Sequence, residues 1–131
     1  MIISYTRYLS SGEIMGHVSI LAENRAQHER DNNELLLEGE FDRNKYYINS
    51  NIQMAMPRLV NPSEIDVTAI NVSPAICKIT KIPSDSTITI DRKSYQLTDK
   101  FVELSFNMPG IKRIVVESLK YLPVTLEVAV N

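Results

Sequence analysis

A chain of 131 residues with 14 basic side chains, 16 acidic ones and a formal charge of −2 lacks the basic stripe that a dedicated nucleic-acid binder turns toward phosphates. Its single cysteine, Cys77, permits no intrachain disulfide and reads as a free, buried thiol. At this length one domain, or one domain with a smaller appendage, buries about 65–70% of the unfolded surface, so no covalent staple is needed.

The start, MIISYTRYL, has no basic leader ahead of a long apolar core, and no run approaches the ~18 apolar residues of a spanning helix. A soluble chain with no membrane contact is expected. Residues 2–8 are rich in β-formers, Ser10-Ser11-Gly12 is turn chemistry, and residues 13–20 alternate apolar with polar. This predicts an N-terminal hairpin. Tyr5 and Tyr8, three apart in a strand, fall on opposite faces. Residues 21–33, LAENRAQHERDNN, are polar without helical recurrence of apolar positions, which predicts a loop or a short solvated helix. Residues 34–39 and 45–49 read as short strands around a turn at Phe41-Asp42-Arg43-Asn44. Ser50-Asn51 then reverses the chain into residues 52–56, stopped by Pro57, as a second small hairpin. Residues 58–65, with Pro62, form a connection. The division expected is an N-terminal β-hairpin attachment region over residues 1–57 and a β-sandwich over residues 58–131.

Residues 66–70 and 75–79 read as the first sandwich strands, separated by Asn71-Val72-Ser73-Pro74. From residue 86 to residue 130 the pattern is firmest. Ile88 and Ile90 alternate with Thr87, Thr89 and Asp91, and after a polar reversal Tyr95 and Leu97 resume the alternation. Val102, Leu104 and Phe106 share a face, and Asn107-Met108-Pro109-Gly110 suits a type II turn. Ile114 and Val116 oppose Ile111, Arg113 and Val115. The strand is thus apolar on both sides in its middle, as befits a central strand or one covered by a neighbouring subunit. Tyr121-Leu122-Pro123 is expected to break the pattern before a last strand at Val124, Leu126, Val128 and Val130. The fold class predicted is mainly β: an N-terminal β-hairpin region followed by a small antiparallel Ig-like β-sandwich.

Reactive chemistry is sparse. The two histidines, His17 and His28, lie in segments of different character. His28-Glu29 opens like a zinc-protease helix, but Asn32 stands where the second ligand belongs. One cysteine excludes a Cys-rich zinc site. The four glycines are too far apart for a phosphate-cradling loop. Asp85, Asp91 and Asp99 sit at predicted turns, where aspartate bonds nearby backbone N–H groups. The expectation is no enzyme activity, no cofactor and no metal. Tyrosines are the remaining signal, since they stack on sugars or anchor protein contacts. Tyr46 and Tyr47 are adjacent and so face opposite ways, and the chain has no tryptophan for a sugar platform. The candidate interface residues are Tyr5, Tyr8, Tyr46, Tyr47, Ile114 and Val116.

At Glu38-Gly39-Glu40-Phe41-Asp42, then Tyr46-Tyr47-Ile48 and Pro57, and at Met108-Pro109-Gly110, Val115-Val116 and Tyr121-Leu122-Pro123, the chain resembles small structural proteins of tailed bacteriophages. That group shares an N-terminal region of Gly, Asp, Tyr-Tyr-Val and Pro, and a C-terminal sandwich closing on Pro-Gly-Thr-Tyr and Pro-Tyr-Leu. Here Ile111-Lys112 follows the Pro-Gly, and Lys120 stands before Tyr-Leu. The resemblance implies a virion component of the head, neck or tail, such as a tail-fibre adaptor, made in the host cytoplasm and bound to other virion proteins as a homo-oligomer or hetero-complex. It supplies no catalytic residue. The rival expectations are a tail-fibre assembly chaperone and a carbohydrate-binding host-attachment module.

Overall fold

A computed structural model describes all of residues 1–131. The protein is mainly β, and its strands form four sheets whose pairings are antiparallel except for one short parallel pair. The chain divides into two compact units, Met1–Arg58 and Leu59–Asn131.

The first unit begins with the expected hairpin. Strand β1 (Ile2–Tyr8) pairs with β2 (Ile14–Leu21) from Ile2↔Leu21 to Tyr8↔Ile14, with a bulge between Arg7 and Tyr8. A 3-10 turn at Ala22–Asn24 leads into helix α1 (Arg25–Asn32), which ends on Asn33 in the left-handed region at φ 52°, where asparagine is tolerated. The helix buries no residue, in keeping with its polar sequence; its docking is polar instead, as described below. Strand β3 (Leu35–Glu38) adds to the other side of β1, giving the order β2-β1-β3.

The two strands expected around residues 41–44 therefore do not pair with each other. Gly39, at φ 111°, turns the chain away, and a Cβ there would stand 3.0 Å from the Phe41 ring. The fully buried Thr6 hydroxyl donates to Gly39 O at 2.7 Å and accepts from Phe41 N at 3.0 Å. Both backbone groups of the turn are thus satisfied from inside β1. Strand β4 (Tyr46–Asn49) pairs instead with β5 (Met54–Pro57) as the second hairpin. Pro57 ends the two-stranded ribbon opposite Tyr46, an edge position that tolerates a missing N–H. Tyr8, Ile14 and Ile48 form the core of this unit, with Leu37, Phe41, Tyr46 and Ala55 packed on them.

The second unit holds β6 (Glu64–Ile65), β7 (Ala69–Ile70), β8 (Ala75–Thr80), β9 (Ser86–Ile90), β10 (Lys93–Leu97), β11 (Val102–Phe106), β12 (Gly110–Ser118) and β13 (Tyr121–Val130). They form a five-stranded sheet, β10-β9-β12-β13-β7, and a three-stranded sheet, β11-β8-β6. Alternation sorts the inward residues: Ala75, Cys77 and Ile79 from one sheet join Ile88, Ile114, Val116, Val128 and Val130 from the other in one buried cluster. That shared cluster makes the two sheets a sandwich. Truncating a fully buried member such as Ile114 to alanine costs about 2–5 kcal/mol.

Three local expectations change. The Met108-Pro109-Gly110 turn joins strands of different sheets, and Gly110 at φ 136° opens β12. The reversal before the last strand lies at Leu119-Lys120, closed by Ser118↔Tyr121. Pro123 then lies inside β13 beside the register shift between Val116 and Ser118, a place where a ladder hydrogen bond is already interrupted. The β9–β10 hairpin is as expected, with Ile90↔Lys93 enclosing Asp91 and Arg92.

Asp91 and Arg92 both have positive φ, 49° and 67°, the pattern of a type I′ turn, which favours glycine second. An Arg92→Gly variant is expected to gain about 0.5–1 kcal/mol by removing the left-handed cost of a β-carbon. The measurement is the urea midpoint of the second unit; an unchanged or lower midpoint contradicts the assignment.

Candidate protein interface

Four of the six residues expected at an interface lie in the interior. Tyr5 and Tyr8 are 3% and 2% exposed, and Ile114 and Val116 are 0% exposed. Their assignment as surface contacts is corrected, because alternation tells which residues share a face but not which face turns inward. Tyr5 and Tyr8 do occupy opposite sides of β1: Tyr8 joins the core with Ile48, while Arg25 of α1 stands over the Tyr5 ring at 5.4 Å. Ile114 and Val116 make β12 a central strand of its own sheet. Tyr46 is half-buried, edge-on to Phe41 at 5.6 Å, and Tyr47, also half-buried, points to the opposite face of β4. The two rings form no common platform.

The densest polar cluster holds α1 and β3 against β1. Arg7 grips Glu34 with two hydrogen bonds, 2.9 Å from Nε and 2.7 Å from Nη2. Glu29 accepts from Leu36 N at 3.0 Å, and Arg25 donates to Leu36 O. The hydrogen bond from Arg7 holds the Glu34 carboxyl below its ordinary value, against the opposing effect of burial. Burial, followed by the charge of Glu29, pushes the Tyr8 hydroxyl up. His28 Nε2 is buried without a hydrogen-bond partner, 3.9 Å from Glu34 Oε2. The carboxylate beside this histidine is already committed to a guanidinium, and no thiol or hydroxyl is bonded to the ring, so the cluster is not a nucleophile–base pair. No three His, Cys, Asp or Glu side chains gather closely enough to hold a metal ion. No helix is long and apolar enough to cross a membrane.

The second unit leaves backbone unpaired at two sheet edges. Strand β10 ends the five-stranded sheet and β11 ends the three-stranded one, so each carries a row of N–H and C=O groups without a neighbour. Between these two edges runs a cleft of about 330 Å³, walled by Ile90, Lys93 and Tyr95 on one side and by Leu104 and Phe106 on the other. Tyr95 lies across from Ile88, which is 1% exposed, and so shares the inward face of its sheet, yet it is 51% exposed. Its ring belongs to the core face but is only half covered. Sequence patterning placed Tyr95 on that face; the missing cover becomes visible only in the unequal widths of the two sheets.

Glu34→Gln is expected to cost the first unit about 1 kcal/mol near neutral pH, a modest figure because Arg7 is part-exposed. A depressed carboxylate contributes fully above its ordinary value, 4.5 for glutamate, and the contribution fades as pH falls through the lower folded value. The wild-type and Glu34→Gln stabilities should therefore converge in acid. Urea titrations read by tyrosine fluorescence, to which four first-unit tyrosines contribute, check this; a gap that persists at low pH contradicts it. Cys77 is 1% exposed, and burial, aided by Asp66, raises its thiol pKa. It should resist alkylation by iodoacetamide until urea unfolds the second unit, and fast labelling of the native chain would contradict that placement. No protein-family model matches the chain, and no match is found among curated proteins or solved structures.

Proposed function

We propose that this chain is a non-enzymatic structural protein of a bacteriophage particle, associated with head, neck or tail, that works by contact with other virion proteins. The observation that carries the contact part is the open edge pair of the second unit, β10 and β11, with an uncovered apolar cleft between them. Exposed strand edges beside apolar side chains are the ordinary means by which a sheet recruits another polypeptide. The virion assignment draws its support from the resemblance in the Gly39, Asp42, Tyr46-Tyr47 and Pro109-Gly110 motifs.

The strand arrangement supports reading the second unit as Ig-like. Its first segment is split between the sheets, β6 antiparallel to β8 and then β7 parallel to β13. The central pair β12–β13 sits beside β9, and both sheets contribute inward residues to one core.

Quantitative mass spectrometry of gradient-purified particles from cells infected with the encoding phage tests the assignment. The chain is expected at a fixed copy number per particle. Its presence in the lysate but absence from finished particles would overturn the virion reading in favour of an assembly chaperone.

A further inference from the structure

We infer that the edge of β11 accepts an extended strand from another polypeptide, whose inward apolar side chains fill the cleft and whose acidic end lies beside Phe106. This deepens the protein-contact part of the proposed function and is indifferent to whether the partner belongs to a virion.

The argument begins with the mismatch of five strands over three. A sandwich is closed only where each inward-facing strand has a strand opposite it. β10 is exposed along residues 93–96, although its hydrogen-bonded partner β9 has Ser86 and Ile88 fully inside. The strip under β10 is therefore the place of a missing fourth strand in the smaller sheet, next to β11. Strand β11, Val-Glu-Leu-Ser-Phe, has no proline and no bulge on its paired edge, so its backbone is free to accept a ladder. Side chains at alternate positions of an added strand would point into the cleft between Tyr95 and Leu104, as strand addition requires.

Charge indicates the chemistry of the occupant. At the Phe106 end of the cleft stand Lys93 in its wall, Arg92 in the adjoining turn, and Lys112, whose ammonium lies 5.8 Å from the Phe106 ring. Asp91 is the one acid among them. An incoming strand with a carboxylate at that end meets net positive potential, which speeds association and sets direction. A second copy of this chain is the poorer occupant. Pairing β11 with β11 antiparallel requires a two-fold axis perpendicular to the sheet. Both copies' overhanging β10 strands would then fall on the same side, over the same junction.

The test is selection of random linear peptides of about 12 residues on the full-length chain by mRNA display, with enriched sequences measured against variants. Expected is enrichment of alternating apolar residues with Asp or Glu toward one end. Binding should weaken at least about tenfold in Tyr95→Glu, weaken for acidic peptides in Lys93→Glu, and remain unchanged in Thr125→Glu, on the opposite face of the larger sheet. Hydrogen exchange on adding an enriched peptide should slow in residues 102–106. Because Tyr95, Lys93 and Thr125 are solvent-accessible, the variants keep the core, and circular dichroism verifies each fold. The inference is overturned if no peptide is enriched, if binding survives Tyr95→Glu, if enriched sequences lack alternation, or if light scattering shows a dimer that Tyr95→Glu dissolves. Particle mass spectrometry does not depend on any of these results, so the two readings fail separately.

Discussion

Burial of one apolar layer between two sheets governs the second unit. Cys77 and Ile79 of β8 and Ile114 and Val116 of β12 leave water together, and each aliphatic side chain removed contributes about 1.5–3 kcal/mol. The connections follow this layer: the chain crosses between sheets from β8 to β9, at residues 98–101 and again at Met108-Pro109-Gly110, and the first segment splits so that both sheets gain a strand. Buried polar groups follow the same demand. Asn61 donates to Val116 O at 3.2 Å and accepts from Ser63 N at 3.1 Å, and Ser86 donates to Pro83 O at 2.6 Å, so these side chains satisfy backbone groups outside the regular ladders, while the buried Ser63 hydroxyl has no partner.

The first unit is held together differently. Its apolar core is small, Tyr8, Ile14 and Ile48 with their neighbours, and its helix contributes nothing to it. The Arg7–Glu34 pair, the Glu29 and Arg25 contacts to the β3 backbone, and the Thr6 hydroxyl under the turn after Gly39 supply the specificity instead. Such contacts each add little net energy but leave costly unsatisfied groups when broken, which suits a unit whose shape is set by directional bonds more than by burial.

The proposed function draws on what packing leaves undone. The larger sheet needs more cover than three strands provide, and the uncovered strip coincides with two unpaired edges and a basic rim. Arg7, Arg25, Glu29 and Glu34 of the first unit are engaged in structural contacts, and the cysteine of the second is sealed in its core. Open backbone edges beside an uncovered apolar strip are the features on which the proposed contact role rests.

Alternation along residues 86–130 announced the five strands β9 to β13, and the pattern of residues 2–20 announced the N-terminal hairpin; together they carried the mainly β class, because a period of two is written directly into residue order. The polar run from residue 21 to residue 33 likewise announced a solvated segment. Which strands become neighbours was not legible. β3 joins β1 instead of β4 because Thr6, over thirty residues from Gly39 and Phe41, captures the turn. Ile114 and Val116 look like a surface only until two flanking strands and an opposing sheet enclose them. The polar pairs are long-range too, Arg7 meeting Glu34 across 27 positions. Local periodicity decides how each strand divides its faces; only tertiary closure decides which face is covered, and by how many strands. The open cleft beside Tyr95 is a difference between two sheet widths, a quantity that no single segment contains.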